Sequence, residues 1–130
     1  MTLKERAQKA VDMKTSGRYN CAQSVTASLA DQTNLTEDTL TQISAGFCAG
    51  MGNLEATCGA VIGAGMIAGL KTEGKGTLGK TRQIQEEFTR RCGALKCKDL
   101  KTMVDGKPLC PCETCVRNAV EIYGEVMGLE

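Results

Sequence analysis

The stretch of sequence that decides the fold is CGAVIGAGMIAGL, which runs from Cys58 to Leu70. Its small residues recur at helical spacing: Gly59, Ala60, Gly63, Ala64 and Ala68. Small side chains let a neighbouring backbone approach closely, so the stretch predicts a central, tightly packed helix. The uncharged run 56–70 is 15 residues long, which is shorter than the roughly 20 residues needed to cross a bilayer. We therefore expect a buried helix and no membrane insertion.

Helix signals also precede this stretch. Thr2 and Asn20 are each followed three residues later by Glu or Gln, which is the capping-box pattern of a helix start. Cys21 follows the second of these caps on an apolar face, so its side chain is expected to point inward. Thr36, followed by two acidic residues, predicts the start of a third helix. The expected apolar stripe of that helix consists of Leu40, Ile43 and Phe47.

Two more helices are predicted on the C-terminal side. The first has Ile84, Phe88 and Cys92 in line, with charges on the opposite face. The last helix follows a proline-bracketed loop and has apolar positions Val116, Ala119, Tyr123 and Val126. No convincing alternating strand pattern is found. The sequence therefore predicts an all-α fold in which residues 1–130 form a single domain, a small bundle of five to six helices around the small-residue-rich central helix.

Composition and charge exclude several classes of function. Lysine and arginine number 16 against 15 acidic residues, a net charge of +1, so no excess of positive charge points to nucleic acid. Tryptophan is absent and aromatic residues make up 3% of the chain, so stacking platforms for bases are lacking. Histidine is absent too, which removes His-activated nucleophiles, mixed Cys/His zinc sites and His-ligated haem. We expect no nucleic-acid partner.

Two glycine-rich strings match nucleotide-binding motifs by letter but lack the structural context of those motifs. Residues 63–68 fit G-x-G-x-x-A, and residues 74–81 fit G-x-x-x-x-G-K-T. Both motifs bind phosphate where a strand leads into a helix. No strand pattern precedes either string. A packing face and a flexible basic loop are the simpler interpretations, and no nucleotide cofactor is expected.

The eight cysteines carry the chemical signal of this sequence. The first residues show no apolar segment typical of a secretory signal, so the expected compartment is the cytoplasm. Because disulfides are rare in that reducing compartment, metal binding, redox chemistry or simple burial explains the cysteines better. Between Lys71 and Lys101, nine basic residues stand against four acidic ones. This local excess would stabilise thiolates, although a solvated basic helix face is the simpler interpretation.

The densest group of cysteines lies near the C-terminus. Cys112 and Cys115 form a Cys-x-x-Cys pair at the expected start of a helix, where the helix dipole favours a thiolate. Together with Cys110 they provide three soft ligands. A fourth ligand could come from Cys97, Cys92, Cys58 or Cys21. Four thiolates suit zinc or an iron–sulfur cluster, and the spacing does not choose between them.

A set of strings spread along the chain has a recognisable order. They are Asn20-Cys21-Ala22-Gln23, the segment from Gly46-Phe47 to Met51-Gly52, Thr57-Cys58-Gly59-Ala60-Val61-Ile62-Gly63, Cys97 with Leu100, and Cys115. Together they resemble the redox-active protein family named for its C…GCAxxG…C…C pattern. The resemblance implies redox chemistry, with an oxidoreductase or transporter component as a partner. It also implies a cofactor-binding quartet made of Cys21, Cys58, Cys97 and Cys115.

The first hypothesis of function is a metal-dependent one. Cysteines would hold an iron–sulfur cluster or another metal, zinc included, and the protein would pass electrons to a redox partner protein. The candidate metal ligands are Cys21, Cys58, Cys97, Cys110, Cys112 and Cys115. The sequence leaves the choice of metal open, and it does not decide the oligomeric state.

Two further hypotheses need no redox metal. In a thiol–disulfide oxidoreductase, Cys112 or Cys115 would attack a partner disulfide. Cys97 or Cys58 would then resolve the mixed disulfide, which makes these four cysteines the candidate catalytic residues. In a non-catalytic domain, four thiolates would hold zinc, or the cysteines would simply pack as small buried side chains.

Overall fold

The structure is a computed structural model that describes residues 1–129. These residues form the helices α1 (Leu3–Thr15), α2 (Cys21–Ser28), α3 (Glu37–Ser44), α4 (Gly59–Lys71), α5 (Thr77–Cys92), α6 (Cys97–Leu100) and α7 (Cys112–Met127). Short 3-10 and π-helical turns cover Ala30–Gln32 and Gly50–Leu54. The strands β1 (Met103–Val104) and β2 (Lys107–Pro108) pair in an antiparallel hairpin. The prediction of an all-α helical fold is confirmed.

Helix α4 lies at the centre of the bundle and packs against α2, α5 and α7. Most of its small residues are buried, as are Val61 and Ile67. A Cβ atom at Gly63 would lie 3.0 Å from the carbonyl oxygen of Ala22 on α2, so the two backbones are in direct contact there. The prediction of a central helix rich in small residues is therefore confirmed. None of the described helices is long and apolar enough to span a membrane.

The predicted helix starts are present, and the second one also orients α2. Thr2 and Asn20 form complete capping boxes, and Thr36 caps α3. The Asn20 side-chain amide also donates a hydrogen bond of 3.0 Å to the Ala45 carbonyl, just after α3. The Gln23 side chain donates a further one, also 3.0 Å, to the Thr41 carbonyl on α3. These bonds fix the first turn of α2, which begins at Cys21.

The structure differs from the sequence-based expectation at α3 and at the hairpin β1–β2. Ile43 is 50% exposed instead of buried, because α3 is short and contacts the bundle through Leu40 and Ser44, which are buried. Phe47, also expected on the apolar stripe, lies beyond the end of α3 and is half-buried. The hairpin β1–β2 was not predicted. Its turn is formed by Asp105 and Gly106, both with positive φ, and Asp-Gly is a strong signal for such a turn. Strands of two residues are too short for an alternating pattern to reveal them.

We predict that Gly63→Ala destabilises the protein by about 1–3 kcal/mol, because the added methyl group forces α2 away from α4. The matched control is Gly79→Ala on α5, where an added Cβ has no atom within 4 Å. The control should leave stability unchanged or raise it by up to about 1 kcal/mol, since alanine favours helix more than glycine does. Chemical denaturation followed by circular dichroism measures both effects. Equal stability of the two variants would contradict the backbone contact.

Candidate functional site

The cysteines converge on one cavity of about 200 Å³. Its lining includes Cys21, Cys48, Cys58, Cys97, Cys110, Cys112 and Cys115. Five of these seven side chains are buried, whereas Cys48 and Cys112 are half-buried. The eighth cysteine, Cys92, is also buried and lies beside the cavity wall, close to Cys110 and Cys115. All six predicted metal ligands therefore lie around one cavity, although they come from separate parts of the chain.

Three of the longer helices begin at this cavity, and the four-residue α6 also begins there, at Cys97. Cys21 is the first residue of α2, Cys112 is the first residue of α7, and Cys58 is the N-cap of α4. The N-terminus of a helix carries a partial positive charge and free N–H groups. At the start of α4, the first N–H groups of the helix help to lower the pKa of Cys58.

Backbone hydrogen bonds hold the remaining cysteine segments in place. The N–H of Cys58 donates to the Leu95 carbonyl at 2.9 Å, and the N–H of Cys97 donates to the Ala56 carbonyl at 3.0 Å. These two bonds tie the segments that carry Cys58 and Cys97 side by side. The N–H of Cys110 donates to the Leu100 carbonyl at 3.0 Å, which attaches the loop before α7 to the end of α6.

Gly59 is required for the close approach of Cys21 to the start of α4. A Cβ atom at Gly59 would lie 2.1 Å from the Phe47 carbonyl oxygen and 2.9 Å from the Cys21 sulfur. Both distances are far below van der Waals contact. The glycine after Cys58 therefore has a direct structural role, since any side chain there would separate α2 and the loop at Phe47 from Cys58.

Three of the sulfur atoms form a compact buried group. The sulfurs of Cys92, Cys110 and Cys115 all lie within 4.8 Å of one another. The Asn118 side-chain amide donates a hydrogen bond of 3.2 Å to the Cys92 sulfur, and the Cys115 thiol donates to the Cys110 carbonyl at 3.6 Å. Three thiolates at such distances could bind a metal ion, since soft metals prefer sulfur ligands.

Two cysteines are stabilised as thiolates. Hydrogen bonding from Cys115, and next from Cys21, lowers the pKa of Cys58 to about 4 against the opposing effect of burial. The first N–H groups of α4 act in the same direction, although the sulfur makes no geometric side-chain capping bond. Hydrogen bonding from Cys110, with smaller contributions from Cys115 and Asn118, lowers the pKa of Cys92. The site thus concentrates negative charge on these two sulfurs.

The neighbouring cysteines are stabilised as thiols. Hydrogen bonding with Cys58, together with burial, raises the pKa of Cys21. Hydrogen bonding with Cys110, then with Cys58, raises the pKa of Cys115. Cys115 lowers the pKa of Cys110, but Cys92 and burial raise it, to a net value of about 12. Burial raises the pKa of Cys97.

The burial and the pKa shifts of the cysteines can be compared with the thiol–disulfide oxidoreductase hypothesis. That hypothesis requires an exposed thiolate of low pKa at Cys112 or Cys115. Cys115 is 3% exposed and its pKa is raised, so it has the opposite properties. Cys112 is half-buried. The cysteines whose pKa is lowered are Cys58, expected to resolve the mixed disulfide, and Cys92.

The positive charge predicted around the cysteines is partly paired. Arg91 forms ion pairs with Glu87 and Glu125, and Lys98 is paired with Glu55 at 3.2 Å. Arg91 still contributes to lowering the pKa of Cys92. Lys14 and Lys101 line the cavity itself. These two lysines, more than the overall local excess, provide positive charge at the cavity.

The sequence did not predict a central role for Cys92. The quartet and the six predicted metal ligands left it out, and it appeared only as one of several fourth ligands. The structure places its sulfur among those of Cys110 and Cys115. The available signal was its position on the apolar face of α5, four residues after Phe88, which points its side chain into the bundle.

A scan against protein-family models matched residues 19–126 with one described as "Putative redox-active protein (C_GCAxxG_C_C)". The chain belongs to this family. The matched region includes every cysteine of the chain and all helices except α1 and the last residue of α7. The suspected resemblance is thereby confirmed. The searches of curated proteins and of solved structures gave no match.

We predict that Cys58 of this redox-family member is alkylated at a nearly constant rate between about pH 6 and pH 8 in the reduced, metal-free protein, because its low pKa keeps it a thiolate. Cys97 is the internal control. Its raised pKa makes its rate fall by about tenfold for each pH unit of acidification. Iodoacetamide labelling with peptide mass spectrometry measures both profiles. A tenfold fall per unit at Cys58 would contradict the assigned thiolate.

Proposed function

We propose that this protein transfers electrons and that its cysteines hold an iron–sulfur cluster at the cavity. The observation that supports the proposal is the convergence of seven cysteines on one cavity, four of them at the first or N-cap residue of a helix. Such a cluster supplies reversible one-electron chemistry when it is bound. The residues proposed to hold it are Cys21, Cys58, Cys97 and Cys115.

The size of the site favours a cluster over a single ion. Zinc binds four thiolates at about 2.3 Å, which places the four sulfurs about 3.8 Å apart and leaves no free space among them. The cavity has a volume of about 200 Å³ and is lined by seven cysteines. This is more space and more sulfur than one tetrahedral ion uses. A polynuclear iron–sulfur cluster uses both better.

The protein environment would adjust the charge and the solvation of the bound group. The N-termini of α2, α4 and α7 and the side chains of Lys14 and Lys101 surround the cavity with positive charge. Positive charge stabilises the more reduced, more negative state and so raises the reduction potential. The four quartet side chains are buried, so little water reaches their sulfurs.

The proposal includes a redox partner and a cytoplasmic location. Cys48 and Cys112 are half-buried and Lys101 is exposed, so the cavity can be approached from their side. A partner docked there would be close enough to exchange electrons. An oxidoreductase or a transporter component is the proposed class of partner. Thiolate ligands persist best in a reducing compartment, which supports the cytoplasm.

A thiol–disulfide oxidoreductase is the second candidate, and the position of Cys112 favours it. This half-buried residue opens α7, with Cys115 one turn deeper. The Cys112 thiolate would attack one sulfur of a partner disulfide and release the other as a thiolate. A second cysteine, Cys97 or Cys58, would then attack the mixed disulfide. The protein would end as a disulfide and the partner as a dithiol.

We predict that protein purified without oxygen contains iron and acid-labile sulfide in stoichiometric amounts and shows visible sulfur-to-iron charge-transfer bands. Cys58→Ser should lower the iron content by more than about tenfold, since it removes a central ligand. Cys48→Ser is the matched control, because Cys48 lines the same cavity but lies outside the quartet. That variant should retain its iron. Absorbance, metal analysis and sulfide determination provide the measurements.

The alternative outcomes are distinct. One zinc per chain without a redox couple would replace the proposal by a structural zinc domain. Colourless, metal-free protein with two rapidly alkylated thiols would favour the thiol–disulfide oxidoreductase. Equal iron content in Cys58→Ser and Cys48→Ser would refute the assignment of the quartet.

A further inference from the structure

The cysteines are too numerous for one four-coordinate site, and their arrangement divides them into two groups. The quartet supplies four sulfurs to the cavity. Cys92 is close to Cys110 and Cys115 but is not part of the cavity lining. The group of Cys92, Cys110 and Cys115, here called the inner trio, therefore extends from the cavity wall into the core between α5 and α7.

Cys115 belongs to both groups. Its sulfur lies within 4.8 Å of those of Cys92 and Cys110. Its side chain also lines the cavity together with the other three members of the quartet, Cys21, Cys58 and Cys97. The sulfur of Cys115 thus stands between the quartet and the inner trio. A thiolate has lone pairs for two metal ions, so one sulfur in this position can serve both groups.

The inner trio has the features of a soft-metal site in its own right. Its three side chains are 3–5% exposed, which keeps water away from the sulfurs. The Asn118 amide donates to the Cys92 sulfur at 3.2 Å and so orients this ligand from outside the trio. Thiolates in such a setting select soft ions.

We propose that the inner trio is a second soft-metal site, joined to the quartet by Cys115 as a bridging thiolate. The proposal rests on the proposed metal-binding function of the quartet, but not on the kind of metal found there. Each thiol that binds an ion gives its proton to the buffer, and no oxidation state changes. The ligands of the second site are Cys92, Cys110 and the shared Cys115.

Loading the reduced, full-length, metal-free protein with ¹¹³Cd²⁺ tests the inference, because cadmium is a soft thiolate-binding probe. Without a cluster in the cavity, the quartet side chains can close around one ion, so two ¹¹³Cd resonances are expected, with scalar coupling between them through the shared sulfur. This measurement on the unmodified protein does not depend on the folding of any variant. A single resonance, or two resonances without coupling, would overturn the bridged arrangement.

Variants assign the two signals. Cys92→Ser should remove only the resonance of the inner trio, and Cys21→Ser only that of the quartet. Cys48→Ser is the control and should keep both, since Cys48 lies in neither group. Circular dichroism checks that each variant retains the helical fold. If Cys92→Ser folds and still shows both resonances, the inner trio is not a metal site.

The result is separable from the test of the proposed function. Iron and sulfide in the purified protein report on the iron–sulfur cluster, whereas the cadmium spectrum reports on the number of thiolate sites. Protein without iron that shows two coupled cadmium resonances would retain the second site and refute the iron–sulfur assignment. Iron-containing protein whose metal-free form shows one resonance would support the iron–sulfur assignment and refute the second site.

Discussion

The contact between the backbones of α2 and α4 is the constraint on which the rest of the structure depends. Gly59 and Gly63 lie one turn apart on α4, and an added Cβ at either would strike a carbonyl oxygen, that of Phe47 or that of Ala22. The same contact brings the Cys21 sulfur against the start of α4, next to Cys58. The packing of the core and the assembly of the sulfur site therefore depend on the same backbone contact. A substitution that loosens the helix pair would also separate the cysteines.

Burying thiolates has a cost that the fold offsets locally. Moving a charged group out of water costs several kcal/mol unless charge or hydrogen bonds compensate for it. Neighbouring thiols provide hydrogen bonds to Cys58 and Cys92, and the α4 amides and Asn118 add to them. Lys14 and Lys101 supply positive charge at the cavity. The fold thus lowers the pKa of Cys58 and of Cys92 without any bound group.

The fixed positions of the cysteines affect which kind of redox chemistry the site suits. Ligands that are held in place by helix starts and backbone bonds need little rearrangement when the charge of a bound group changes. Small rearrangement is what electron transfer requires, whereas thiol–disulfide exchange requires an accessible attacking sulfur. Five of the cysteines that line the cavity are buried. The arrangement therefore favours a bound redox group over an open thiol pair.

Much of the fold could be predicted from the sequence, because its determinants are local. Capping boxes at Thr2 and Asn20, the small residues of α4 and the apolar face of α5 each act within a few residues. The exposure of Ile43 could not be predicted, since the burial of a helix position depends on which neighbouring element covers it. The short hairpin at Asp105 was missed because its strands have two residues each.

The sequence by itself determined the helical class, the family and the chemical type of the ligands, since residue identity and local spacing encode them. Only the tertiary structure decided which sulfurs are neighbours. Cys92 reaches Cys110 and Cys115 through the packing of α5 against α7, and Cys21 reaches Cys58 through a glycine contact. These distances arise from helix packing between residues far apart in the chain, which local spacing does not specify.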